Sequence, residues 1–244
     1  MLTLLLAMLV GLSLGLLGAG GSVLAVPILR YVAGLSAKQA IATSLATVGA
    51  ISLVGGLLAW KEGRLRWRQA LEFALIASLG TFLGVQLASG LSDKVQMGLF
   101  LLVMAGAVVV MRRPRQLAPS SGGQAWYVLW GQALAVGVLT GVVGVGGGFL
   151  IVPALVAIYS LPIKDATGTS LAVIAFNSLV GMVSYSQALE LDWRFTLEFV
   201  AAALAGLLGG LAIGRKVESR TTEQAFFAVL VAVGLYTAIR ELFF

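Results

Sequence analysis

Long apolar runs separated by short polar loops set the rhythm of this chain. Apolar stretches cover residues 2–17, 22–33, 37–59, 69–89 and 95–111. They return at 126–143, 148–159, 165–186, 195–214 and 223–242. Several reach the length of about 20 residues that a helix needs to cross a bilayer. The pattern predicts an all-α polytopic membrane protein. Each half of the chain would hold a Gly-broken helical hairpin, with arms at 2–17 and 22–33 or at 126–143 and 148–159, followed by three spans.

Composition strengthens that expectation. The 244 residues are 59% hydrophobic and 11% charged, and the mean hydropathy is +1.02. Soluble domains carry about 25% charged residues, so so much apolar surface needs lipid as its solvent. No polar stretch is long enough for a soluble domain. The apolar run at 2–17 is not preceded by Lys or Arg, unlike a signal peptide with its basic leading region. The same pattern recurs mid-chain, so the run is read as part of the mature protein.

The chain repeats itself at an offset of 126 residues. Gly15, Gly18, Gly20 and Gly21 fall on Gly141, Gly144, Gly146 and Gly147. Val26-Pro27 falls on Val152-Pro153, and Thr43-Ser44-Leu45-Ala46 on Thr169-Ser170-Leu171-Ala172. Trp67-Arg68 and Leu71-Glu72-Phe73 fall on Trp193-Arg194 and Leu197-Glu198-Phe199. Residues 1–111 form the first repeat and 125–244 the second. Residues 112–124, with Arg112, Arg113, Arg115 and a Pro-Ser-Ser-Gly-Gly run, join them as a polar linker.

Charge then orients the repeats. Net charge is +6, but the basic residues lie in loops between apolar runs, which speaks for membrane orientation and against nucleic acid. Lys61, Arg64, Arg66 and Arg68 crowd the loop 60–68, whereas its mate at 187–194 holds Glu190, Asp192 and Arg194. The first loop, the linker and the loop with Arg215, Lys216 and Arg220 are expected on the cytoplasmic side. These assignments agree only if each Gly-broken hairpin returns to the side it entered. One continuous helix over 2–33 would run about 48 Å, too long for a core of ~30 Å. Three further crossings per half then place the repeats in inverted topology, with both termini outside.

With no Cys and no His, the chain cannot offer thiolate or imidazole chemistry, disulfides or a Ser-His-Asp triad, and most transition-metal sites are excluded. No enzyme activity, metal or cofactor is expected. Inverted repeats with interrupted helices point to a transporter site near the midplane. The interruptions, Gly18, Gly20, Gly21 and Ser22 in one half and Gly144, Gly146, Gly147 and Gly148 in the other, are candidate substrate-binding positions. Each break opens a new helical arm whose first N–H groups lack intrahelical partners and carry the positive end of the helix dipole. Thr43, Ser44, Thr169 and Ser170 are candidates through their hydroxyls, weighed against bonding to their own helix's carbonyls. Asn177, whose mate is Ile51, is costly inside a span without a partner and joins them. The scattered glycines Gly80, Gly84, Gly206, Gly209 and Gly210 are read as packing positions. Lys38 and Lys164 are read as sitting at helix ends, and Glu72 and Glu198 as i,i+4 partners of Arg68 and Arg194. No charge lies deep in a predicted span, which favours an anion or a neutral substrate.

The paired segments Gly15-Leu-Leu-Gly-Ala-Gly-Gly-Ser-Val-Leu-Ala-Val-Pro-Ile-Leu29 and Gly141-Val-Val-Gly-Val-Gly-Gly-Gly-Phe-Leu-Ile-Val-Pro-Ala-Leu155 resemble the signatures of the sulfite exporter TauE/SafE family. The Ala-x-x-Thr-Ser segments from Ala40 and Ala166 fit as well. The resemblance implies a permease of the prokaryotic inner membrane with about eight helices, linked to sulfite, sulfonates and related anions. The expected function is alternating access for a small sulfur-containing anion. An anion channel, or a permease for another small anion or organic acid, is the alternative. The expected partners are that anion and the lipid bilayer, and a homodimer is left open.

Overall fold

The computed structural model describes residues 1–17, 22–112, 126–144, 148–214, 227–228 and 231–240. Its regular elements are helices: α1 (Leu2–Leu17), α2 (Ser22–Val32), α3 (Ala37–Lys61), α4 (Trp67–Ser89), α5 (Asp93–Arg112), α6 (Trp126–Val143), α7 (Gly148–Tyr159), α8 (Ile163–Ser186), α9 (Trp193–Gly214) and α10 (Val231–Arg240). Among them α3, α4, α8 and the stretch Trp193–Ile213 of α9 are long and apolar enough to cross a membrane. Polar caps fix several starts. Ser36 and Gln39 form a reciprocal capping box at α3, and Asp192 accepts from the Phe195 amide at 3.0 Å at the start of α9. α2 ends in a π-helical turn over Ile28–Val32, directly after Pro27, which has no N–H to continue the ladder.

α3 and α8 pack along their length. Gly49 meets Ser178, Gly56 meets Ala172, and Gly168 meets Ala59. The α8 residue number falls as the α3 number rises, so the two helices run antiparallel. α4 and α6 run parallel, with Gly137 on Ala77 and Gly141 on Thr81, and so do α1 and α9, with Gly11 on Ala203 and Gly15 on Leu207. In all four glycine contacts backbone touches backbone. Lipid gives no hydrophobic drive for helices to associate, so such close approach supplies the packing energy.

These directions settle the course of one hairpin. α6 starts beside the first turns of α4, near the basic loop 62–66. α7 comes back to the same end, where Tyr159 donates to Glu72 Oε2 at 3.1 Å. The hairpin thus enters and leaves at the basic end of the bundle, and α6 ends near the start of α3, where Gly144 touches Ile41.

Buried side chains such as Phe73, Phe100, Ile151 and Val173 form the interior. The opposite helix faces carry exposed apolar stripes: Leu71, Leu75, Leu79 and Leu83 on α4, and Leu197 and Leu208 on α9. Water would penalise such continuous stripes, whereas acyl chains solvate them. Charged residues stay at helix ends. Arg68 pairs with Glu72 at 2.9 Å and Arg194 with Glu198 at 3.3 Å, both i,i+4. Lys38 Nζ donates to the Ser89 carbonyl at 2.8 Å and so closes the last turn of α4.

Candidate functional site

Gly144 ends α6 with φ +70°, a conformation that only glycine adopts without strain. A Cβ there would lie 2.5 Å from Ile41 Cγ2 and 3.0 Å from the Ile41 Cα. The glycine is therefore required twice, once for its backbone and once for the close approach of α3. One turn further along α3, Ser44 Oγ donates to the Gly144 carbonyl at 3.0 Å. A hydroxyl from the chain's first half thus holds the break in its second half. α7 begins just after the break, at Gly148. Gly18, Gly20, Gly21, Gly146 and Gly147 lie outside the described residues. Ser22 is fully buried at the start of α2.

The last turn of α6 is held from two more helices. Gln96 Nε2, from α5, donates to the Val142 carbonyl at 2.9 Å and to Tyr185 Oη at 3.0 Å. Tyr185 Oη, from α8, donates to the Gly141 carbonyl at 2.9 Å. Both side chains are buried. Sequence reasoning missed them; the available signal was a glutamine inside the apolar run 95–111.

The structure distributes the sequence-predicted residues over three depths and does not gather them at one centre. Thr43 and Ser44 lie near the start of α3, and Thr169 and Ser170 near the start of α8. Because Ala59 packs on Gly168 and Gly49 on Ser178, Ser170 stands level with the end of α3. Thirteen residues of helix separate that level from Ser44, roughly 20 Å at 1.5 Å per residue. Ser170 Oγ bonds the Thr167 carbonyl of its own helix at 2.8 Å, the local bonding weighed against a site role. Thr169 Oγ1 accepts from the Arg66 amide at 3.1 Å, beneath the Arg66–Asp165 ion pair with its Nε–Oδ2 bond of 2.9 Å.

Asn177 occupies the middle depth. Its Oδ1 accepts from Ser78 Oγ on α4 at 3.1 Å. Its Nδ2 is fully buried and has no hydrogen-bond partner among the described residues. An unpaired buried amide is costly unless something meets it. Ser52 and Ser178, which stand 126 residues apart, are likewise buried without a partner among the described residues. They line a cleft of about 350 Å³ between α3 and α8, walled by Leu45, Leu53, Phe176 and Leu179. Their shared offset was the signal that could have found them. Among the described residues no cluster of His, Cys, Asp or Glu could hold a metal ion.

Apolar helices with lipid-facing stripes, and a glycine-broken hairpin braced across the bundle by buried polar side chains, define a multi-pass membrane transporter. The comparisons agree. The chain belongs to the sulfite exporter TauE/SafE family, whose profile matches residues 3–237. It is 36% identical to a "Probable membrane transporter protein" of Xylella fastidiosa (strain 9a5c), covering 96% of this chain and 92% of that one. It is 26% identical to the "Probable membrane transporter protein YunE" of Bacillus subtilis (strain 168), covering 90% of each. A "Probable membrane transporter protein MJ0441" of Methanocaldococcus jannaschii is 24% identical over 93% of this chain and 91% of its own length. No solved structure matches the chain.

Proposed function

We propose that this transporter carries a small sulfur-containing oxyanion, such as sulfite or an organosulfonate, across the inner membrane by alternating access. The observation that carries the reading is the buried Nδ2 of Asn177 at mid-depth, which has no partner among the described residues. Two N–H donors in a low-dielectric interior suit an acceptor-rich anion and repel none of its charge. The family's name, which refers to sulfite export, supports the sulfur class.

In this reading the anion meets the first N–H groups of α7 at the break and then Asn177. The path follows α8, along which Asn177 and Tyr185 are eight residues apart, about 12 Å. The counterpart break at 18–21 serves the other side. What supports inverted repeats is the antiparallel run of α3 against α8 and the recurrence of contacts at one offset. Gly80 packs on Leu134 and Gly206 on Met8, and Gly55 packs on Leu171 and Gly181 on Leu45. The basic loop 60–68 supports a cytoplasmic position for the end where the α6–α7 hairpin enters.

The test is flux into proteoliposomes with sulfite, thiosulfate, sulfate, a sulfonate and chloride. Saturable transport of one sulfur oxyanion is expected. Asn177→Leu should raise its KM by about 10- to 100-fold, the loss of one or two charge-assisted hydrogen bonds. Wild-type KM in a folded Asn177→Leu protein overturns the site. Flux that never saturates overturns the carrier and leaves a channel.

A further inference from the structure

We infer that Ser44, Gln96 and Tyr185 set the ion selectivity of the second glycine break by covering its carbonyl oxygens; the inference rests on the proposed anion site. A broken helix presents two opposite ends. The arm that starts after the break offers N–H groups to an anion. The arm that ends before it offers orphan carbonyls with the negative end of the dipole. In broken-helix transporters such carbonyls hold Na⁺. A break left bare would therefore attract cations as well as anions.

Here four carbonyls at that end, among the described residues, are occupied. Gly141 O takes the Tyr185 hydroxyl, Val142 O the Gln96 amide, and Gly144 O the Ser44 hydroxyl, at 2.9, 2.9 and 3.0 Å. Thr140 O accepts the Gly144 amide at 2.9 Å. The three side-chain donors come from α8, α5 and α3, and none is more than 2% exposed. In the second Gln96 bond Tyr185 Oη is the acceptor, which leaves its one proton for the Gly141 carbonyl. The α7 N–H groups are then left to face the anion. The brace also distinguishes the two breaks. Ala59 stands 126 residues before Tyr185 and has no hydrogen-bonding side chain, so the same contact cannot form at the first break from that position.

Gln96 and Tyr185 are thus positioning residues, and their donors can be removed at nearly constant shape. The double variant Gln96→Met, Tyr185→Phe would be compared with wild type in two measurements. Thermal unfolding in sodium chloride against N-methylglucamine chloride reads cation binding without any substrate. Proteoliposome flux reads the anion KM. Wild type should unfold alike in both salts, while the variant should be stabilised by sodium and show an anion KM raised about tenfold with its maximal rate nearly kept. A mere packing defect lowers stability equally in both salts. A folded variant with no sodium response and a wild-type KM overturns the inference. If wild type shows no saturable anion flux, the proposed function fails, and the sodium response still decides the selectivity. Should the double variant aggregate, Tyr185→Phe alone carries both measurements.

Discussion

Replacing Gly15 by Ala tests the packing logic of the bundle. A Cβ on Gly15 would stand 2.6 Å from the Leu207 carbonyl oxygen and 2.9 Å from the Leu211 amide. Ordinary contact begins near 3.4 Å, so α1 and α9 must part by the missing 0.8 Å. Both opposing atoms are backbone and cannot swing aside. Overpacking of this kind costs about 1–3 kcal/mol. Alanine also returns some helix propensity, roughly 1 kcal/mol in an exposed helix. Gly131→Ala in α6 separates the two effects, because a Cβ there meets nothing within 4 Å. The difference between the variants isolates the clash. For a chain of this size it corresponds to an apparent unfolding temperature about 2–12 °C lower for Gly15→Ala. The assay is thermal unfolding of both proteins in one detergent, followed by size-exclusion chromatography of the soluble fraction. Equal unfolding temperatures would refute the glycine-stripe interface.

Two further outcomes follow from the cross-bundle contacts. Gly144→Ala should insert normally but lose transport, since it combines a left-handed φ with overlap on Ile41; adding Ile41→Ala should restore part of the stability and little of the transport, and full recovery would show that only space mattered. Arg66→Ala should cost about 1–3 kcal/mol, because it leaves the carboxylate of Asp165, only 14% exposed, without its partner, and it should shift labelling of single cysteines placed at the basic end, a shift that the swap Arg66→Asp, Asp165→Arg should reverse.

Much of the helix layout was legible in the sequence. The arms expected at 2–17, 126–143 and 148–159 match α1, α6 and α7, and the expected spans match α3, α4, α8 and α9 within a few residues. Lipid imposes a simple rule, that every backbone polar group must be satisfied inside the segment, so apolar length alone marks a helix. Local ion pairs such as Arg68–Glu72 were equally legible, because i,i+4 spacing fixes them. Packing glycines were legible only in part. Gly80, Gly84, Gly206 and Gly210 do meet backbone, whereas Gly209, read with them, faces open space. A small residue in a membrane helix records no direction, and only the neighbouring helix reveals which side it serves.

The candidate site divides along the same line. Sequence alone determined that the glycine breaks, the Thr-Ser pairs and Asn177 are the unusual polar features of an apolar chain, because a bilayer penalises each of them. It could not determine which of them meet. That depends on the registers of α3 against α6 and of α8 against α4 and the loop before it, which place Ser44 at the second break, send Thr169 to the Arg66 amide and leave Asn177 beside Ser78. Gln96 and Tyr185 come together from positions 89 residues apart. Register is set by backbone approach at glycines on separate helices, summed over the whole bundle, and no local run of residues carries that sum.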